Sequence, residues 1–260
     1  MLSSELSQQA KGILLGLLIA LPRDRLLEFH SQYFRLDKNL LSLLLRTRTR
    51  LTSLTFCFDE NEKRELPGPT YVQGNFDNLQ TLRIFIVGNN RETYSGLAGW
   101  LPHLFNLRSL HVEGQLTRPN IFTSWEIPSG IALSRVQSLV LADFYLSKSV
   151  MHISSLLDIG KLHTLELVRC TGAVRLLGVL ADAYQKSGKS SLKCFTAIAK
   201  KGPGDLLSAS EALFQWTRGL KHVVLSWMGP RLLDPSSLNG VVHLWNALPF
   251  TPPGMIRSTR

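Results

Sequence analysis

One arrangement of apolar and polar positions recurs along the chain: an apolar residue, two variable ones, an apolar residue, one variable, and a third apolar residue. It reads LTSLTF from Leu51, LQTLRI from Leu79, LRSLHV from Leu107, VQSLVL from Val136, LHTLEL from Leu162, LKCFTA from Leu192 and LKHVVL from Leu220. A degenerate copy, DRLLEF, starts at Asp24 and keeps Leu27 and Phe29. Successive starts lie 26 to 30 residues apart. So narrow a spread in a Leu-rich chain marks an internal repeat, and that outranks any single-segment reading.

The phrase is the length of a short strand. Its positions 1, 4 and 6 point into a core, while positions 2, 3, 5 and 7 face the other side or the strand edge. Three buried apolar side chains contribute about 1.5 to 3 kcal/mol each. A lone unit of that length loses far more in chain entropy, so neighbouring units must complete one another's core. Between the phrases, apolar periods suited to helices run from Lys38 to Arg46, Ser95 to Phe105, Val150 to Leu156, Ala173 to Tyr184, Leu206 to Trp216 and Ser237 to Ala247. Strand, loop and helix in each unit predict an α/β solenoid, a horseshoe with a parallel inner sheet and outer helices, of about 7–8 repeats of about 28 residues across residues 23–248.

These phrases resemble the leucine-rich repeat family, in its longer, helix-containing intracellular form, over residues 24 to 247. The family's next landmark, Asn or Cys three residues after the phrase, is met by Cys170; the other copies carry Asp59, Val87, Gln115, Phe144, Lys200 and Met228 there. The resemblance implies a non-catalytic module that binds a protein partner on its concave face. The stretch from Leu21 through Pro22 and Asp24 to Phe29, followed by Leu36 to Leu41, is also similar to the opening of an F-box. That second likeness implies that residues 21–50 recruit the linker subunit of a cullin ubiquitin ligase, with the repeats as substrate receptor. The segment departs from the F-box at Arg25, Asp24 and His30, and it competes with a first repeat over the same residues.

The ends differ from the middle. Ser3 to Leu21 reads as an amphipathic helix broken at Pro22, a candidate cap within residues 1–22, and Pro249, Pro252 and Pro253 cannot sustain a strand ladder, so 249–260 reads as a disordered tail. The apolar run Gly12 to Leu21 is half the roughly 20 residues of a membrane span, and its flank, with Glu5 and Lys11, makes a poor signal peptide. Cys57, Cys170 and Cys194 form no disulfide framework, which points to a reducing compartment, cytoplasmic or nuclear. A net charge of +10, from 29 basic and 19 acidic residues, favours acidic partners of any class.

The usual chemical signatures fail on spacing. Gly188-Lys189-Ser190 lacks the earlier Gly of a phosphate loop and ends a helix instead of opening one. Gly202-Pro203-Gly204 is followed by Leu207 where a dinucleotide fingerprint needs Gly. Three scattered cysteines give no metal site, and neither a cofactor nor a catalytic residue is predicted. Trp100, Trp216 and Trp245 fall inside helical apolar periods and are expected in the core, which argues against nucleic-acid stacking.

The chemistry therefore rests on the variable positions. Position 2 supplies Arg108, His163, Lys193 and Lys221, position 5 supplies Arg83, His111 and Glu166, and position 7 supplies Glu113. These eight are the candidate partner-binding residues. His111 with Glu113, or His163 with Glu166, is not expected to converge on one reacting atom, so neither pair predicts acid–base catalysis. Two alternatives stay open: a basic solenoid that binds RNA or an acidic partner, and a stoichiometric inhibitor that wraps an enzyme.

Overall fold

A computed structural model describes residues 2–22, 25–35, 40–41, 43–44, 50–59, 76–88, 101–116, 123–124, 133–146, 153, 157–199, 204–228 and 238–245. The chain opens with helix α1 (Leu2–Ala20) and strand β1 (Glu28–Arg35), followed by β2 (Ser53–Asp59) and β3 (Thr81–Gly88). Then come β4 (Ser109–Leu116), the short β5 (Thr123–Ser124), β6 (Ser138–Ala142), the short β7 (Phe144–Tyr145) and β8 (Thr164–Val168). Helix α2 (Ala173–Ser187), β9 (Cys194–Ala199), helix α3 (Gly204–Phe214), β10 (His222–Met228) and β11 (Leu238–Trp245) complete the order.

Nine strands form one open sheet in the order β1-β2-β3-β4-β6-β8-β9-β10-β11. Neighbours from β1 to β10 are parallel, whereas β11 is antiparallel to β10. The long strands thus lie side by side in chain order, and the fold class is α/β. β5 and β7 make a separate two-stranded parallel pair.

The register superposes the phrases position by position. Leu54, Leu82, Leu110, Leu139, Leu165, Phe195 and Val223 are successive Cα partners across the sheet. A backbone ladder fixes that register before the strands proper begin. Thr52 O accepts from Gln80 N and Thr81 N, at 2.8 and 3.0 Å, and the same double acceptance recurs at Gln80, Arg108, Gln137, His163 and Lys193. Every position-2 carbonyl from Thr52 to Lys193 is thereby satisfied by the next unit.

Burial follows the same periodicity. Positions 1, 4 and 6 join one continuous core, with Leu82, Ile84, Leu110, Val112 and Leu141 each 0% exposed. α2 adds Leu176, Leu177, Leu180 and Tyr184 to that core, and α3 packs beside it with Leu206 and Leu213. Phe195 and Phe214 meet edge to face at 5.7 Å, tying β9 to α3. Gly188 ends α2 in the left-handed region, φ 63°, where its N–H donates to Tyr184 O. That residue is a helix terminator, which accounts for the Gly-Lys-Ser sequence without a phosphate. α1 places Leu18 in the core with Leu14 against it, but leaves Ile13, Leu17 and Ile19 exposed. Among the described residues no helix is long and apolar enough to cross a membrane.

Four expectations are corrected. The first unit is shifted by two residues: Phe29, not Leu27, is the Cα partner of Leu54, and Leu27 O takes the position-2 role by accepting from Thr52 N and Ser53 N. Residues 28–35 are therefore a strand of the sheet. The segment 237–247, expected as a helix, holds β11; its adjacent β-branched Val241 and Val242 suit a strand, and pairing with β10 satisfies an otherwise open edge. Within 95–105 the described part is a 3₁₀ turn, Leu101–His103, whose Leu101 and Leu104 still reach the core. Position 7 is not uniformly solvated: Cys57 and Phe85 make a small buried cluster of their own, and Ala142 is buried as well.

Of the remaining expected helices, Leu40, Leu41, Leu43, Leu44 and Ile153 are helical where described, and α2 and α3 cover the next two. Trp216 is 39% exposed and so lies outside the core. Trp100, Lys200, Lys201 and the tail 249–260 lie outside the described residues.

Candidate functional site

The sheet's second face is built from positions 3, 5 and 7, which alternate with the buried positions 4 and 6. The predicted residues form two separate groups along the strands. Arg83, His111 and Glu113 come together on β3 and β4, where Arg83 and His111 are direct Cα partners and Phe85 faces Glu113. Arg108, His163, Lys193 and Lys221 sit in the ladder that precedes β4, β8, β9 and β10, three residues before the position-5 row. At roughly 3.3 Å per residue those two rows are about 10 Å apart. Glu166 lies in the row of Arg83 and His111, two strands beyond His111, in register with Val140 and Thr196.

The first group is compact. His111 Nε2 lies 3.1 Å from Glu113 Oε2, so two residues spaced by the strand period are in hydrogen-bond contact with each other. The His111 ring is 5.8 Å from the Phe85 ring, and the Arg83 guanidinium carbon is 4.9 Å above that same ring. A cation over an aromatic face is worth about 0.5 to 2 kcal/mol, depending on its desolvation. Arg83 Nε is buried and has no hydrogen-bond partner among the described residues. The hydrogen bond from His111 holds the Glu113 carboxyl below the ordinary carboxylate range; burial opposes this, and the charges of His111, Arg83 and Arg169 reinforce it.

Arg169 and its partner Asp143 were not anticipated. Both occupy the eighth position of consecutive phrases, and both have positive φ, 60° at Asp143 and 53° at Arg169. Holding a residue with a Cβ there costs of order 1 to 3 kcal/mol. Each amide continues the ladder, Asp143 N donating to Val168 O at 2.8 Å and Arg169 N to Ile198 O at 2.6 Å. Arg169 Nε donates to Asp143 Oδ1 at 2.9 Å and Oδ2 at 3.1 Å, and Nη2 donates to Oδ2. This pairing raises the Arg169 pKa further above its ordinary value. Gly114, at the same position of the preceding unit, is required by proximity: a Cβ there would stand 3.0 Å from Asp143 O. Opposite charges at one repeat position in adjacent units were the available signal, since adjacent strands lie only about 4.8 Å apart.

The second group differs in kind. Arg108, Lys193 and Lys221 are exposed, and none forms an ion pair among the described residues. The position-3 residues beside them are Ser109, Ser138, Thr164, Cys194 and His222, the first four partly buried. Cys170, the one residue matching the repeat landmark, donates its thiol to Leu141 O at 3.1 Å and so stitches two units together. Cys57, Cys170 and Cys194 are not in disulfides, and the described residues contain no group of three metal-ligating side chains.

Neither a protein-family model, nor a curated protein, nor a solved structure matches this chain.

Proposed function

We propose that the chain is a leucine-rich-repeat solenoid that binds a protein partner on its concave face and performs no catalysis. What supports the reading is the contrast between the faces of a sheet stacked in chain order. One face is closed by repeated apolar rows, while the other presents side chains that differ from unit to unit. A surface that changes along a fixed scaffold is how a repeat array acquires specificity. The Arg83, His111 and Glu113 group, set against the buried Phe85 ring, supplies partly exposed side chains of both signs that suit a protein partner's polar groups.

Affinity capture from cell lysate with the full chain, at low and at about 0.3 M salt, tests this, because the higher salt screens weak electrostatic association. The expected result is a stoichiometric protein partner retained at the higher salt and lost on His111→Ala with Arg83→Ala. Recovery of nucleic acid alone would overturn the reading. Recovery of cullin-ligase subunits would assign residues 21–50 to ligase recruitment. The strand form of 28–35 instead favours their service as the first repeat.

A further inference from the structure

We infer that the strand-start edge of the sheet receives an extended acidic segment of the partner, a deeper claim that rests on the protein-binding reading above. From Thr52 to His222, positions 2 and 3 of the phrases hold Thr, Gln, Arg, His, Lys, Ser and Cys but no carboxylate. Of these, Arg108, Lys193 and Lys221 are exposed and form no ion pair among the described residues. Two cations elsewhere are held within the chain: Lys161 by Asp158 at 3.0 Å, and Arg169 by Asp143. Three exposed cations without an ion pair among the described residues thus share one row in which no carboxylate occurs, and that row can accept an external counter-charge.

Spacing specifies the occupant. The row from Arg108 to Lys221 crosses β4, β6, β8, β9 and β10. Four steps of about 4.8 Å span about 19 Å, the length of roughly six extended residues at 3.3 Å each. Carboxylates of such a segment would meet Arg108 near one end and Lys193 with Lys221 at the other, while the hydroxyls of Ser109, Ser138 and Thr164 can donate between them. Single-stranded nucleic acid is the poorer fit, because these two rows carry no Phe, Tyr or Trp on which bases could stack.

Fluorescence anisotropy of the full chain with three labelled probes decides the matter: a twelve-residue oligo-glutamate, an oligo-glutamine of the same length and an oligouridylate of the same charge. The expected order is glutamate tightest. The combined Arg108→Glu, Lys193→Glu and Lys221→Glu variant should lower glutamate affinity at least about tenfold, the sum of several modest exposed pairs, with an unchanged melt. Equal binding of the glutamate and glutamine probes, tighter binding of the RNA, or no loss in the variant would each overturn the inference. The same variant in lysate capture separates the two claims. A partner lost with His111→Ala and Arg83→Ala but kept by the charge reversal sinks the acidic segment alone, whereas a partner indifferent to both sets sinks the concave-face reading too.

Discussion

The two faces of the sheet obey opposite rules. On the packed face positions 1, 4 and 6 are apolar in unit after unit, with Leu54, Leu82, Leu110, Leu139 and Leu165 occupying one row at 0 or 1% exposure. On the second face the row one residue further on reads Thr55, Arg83, His111, Val140 and Glu166. Repetition is what stability requires, because each unit must fit a neighbour built like itself. Variation is what recognition requires. The charges also differ along the strands: towards their ends His111 pairs with Glu113 and Arg169 with Asp143, whereas at their starts Arg108, Lys193 and Lys221 form no ion pair among the described residues.

The largest effect should come from breaking the packed face. Leu110→Asp buries an unpaired charge at a fully enclosed site and should cost several kcal/mol, lowering the thermal midpoint steeply or preventing folding. A melt unchanged by that substitution would refute the register.

Next in size is the Asp143–Arg169 pair, which closes the strand ends. Arg169→Ala leaves the Asp143 carboxylate, whose side chain is 11% exposed, without its main partner. The Arg169 side chain is 37% exposed, and solvent screening reduces the expected loss to about 1 kcal/mol. Arg169→Gly should cost less than Arg169→Ala, since glycine accepts the φ of 53° without a Cβ penalty. Denaturant titration of the two variants compares the losses directly.

A smaller effect is tied to pH. The folded Glu113 carboxyl is lowered, so its contribution is present above the ordinary carboxylate pKa of about 4.3 and disappears as pH falls through the lower folded value. Glu113→Gln should therefore shrink the fall in stability on acidification below about pH 4. A variant whose stability profile parallels the parent's at every pH would show that the His111 hydrogen bond contributes nothing.

The smallest stability change belongs to His111→Ala and Arg83→Ala, each within about 0.5 to 1 kcal/mol of the parent because both are partly solvated. Their effect should appear in partner affinity instead. Loss of stability comparable with that of Leu110→Asp would mean the faces had been exchanged.

Much of this was legible in the sequence. From Leu51 onward the phrase gave the buried rows residue by residue, because a strand's period of two leaves no freedom once one face is apolar. It misled at Asp24, where an apolar residue at position 6 favoured Phe29; the sheet instead sets Phe29 at position 4 and accepts Ser31, 8% exposed, at position 6. Backbone pairing of Leu27 outweighed that one side chain. The segment from Ser237 to Ala247 misled for a related reason: its short apolar pattern fits either period, and the open edge of β10 decided for a strand. In the site, Arg83, His111 and Glu113 could be named in advance, but the role of Phe85 could not, since position 7 shows its burial only when neighbouring units are in place. The Asp143–Arg169 pair required the inter-unit register as well.

The most direct test of the two-face account uses neighbouring residues on one strand. Leu139 and Val140 are adjacent on β6, the first 1% exposed in the core and the second on the opposite face. The same change at each, Leu139→Asp and Val140→Asp, is compared by thermal melting of the full chain. The account predicts a loss of several kcal/mol or outright unfolding for Leu139→Asp, and a change within about 1 kcal/mol for Val140→Asp. Equal losses, or the larger loss at Val140, would contradict it.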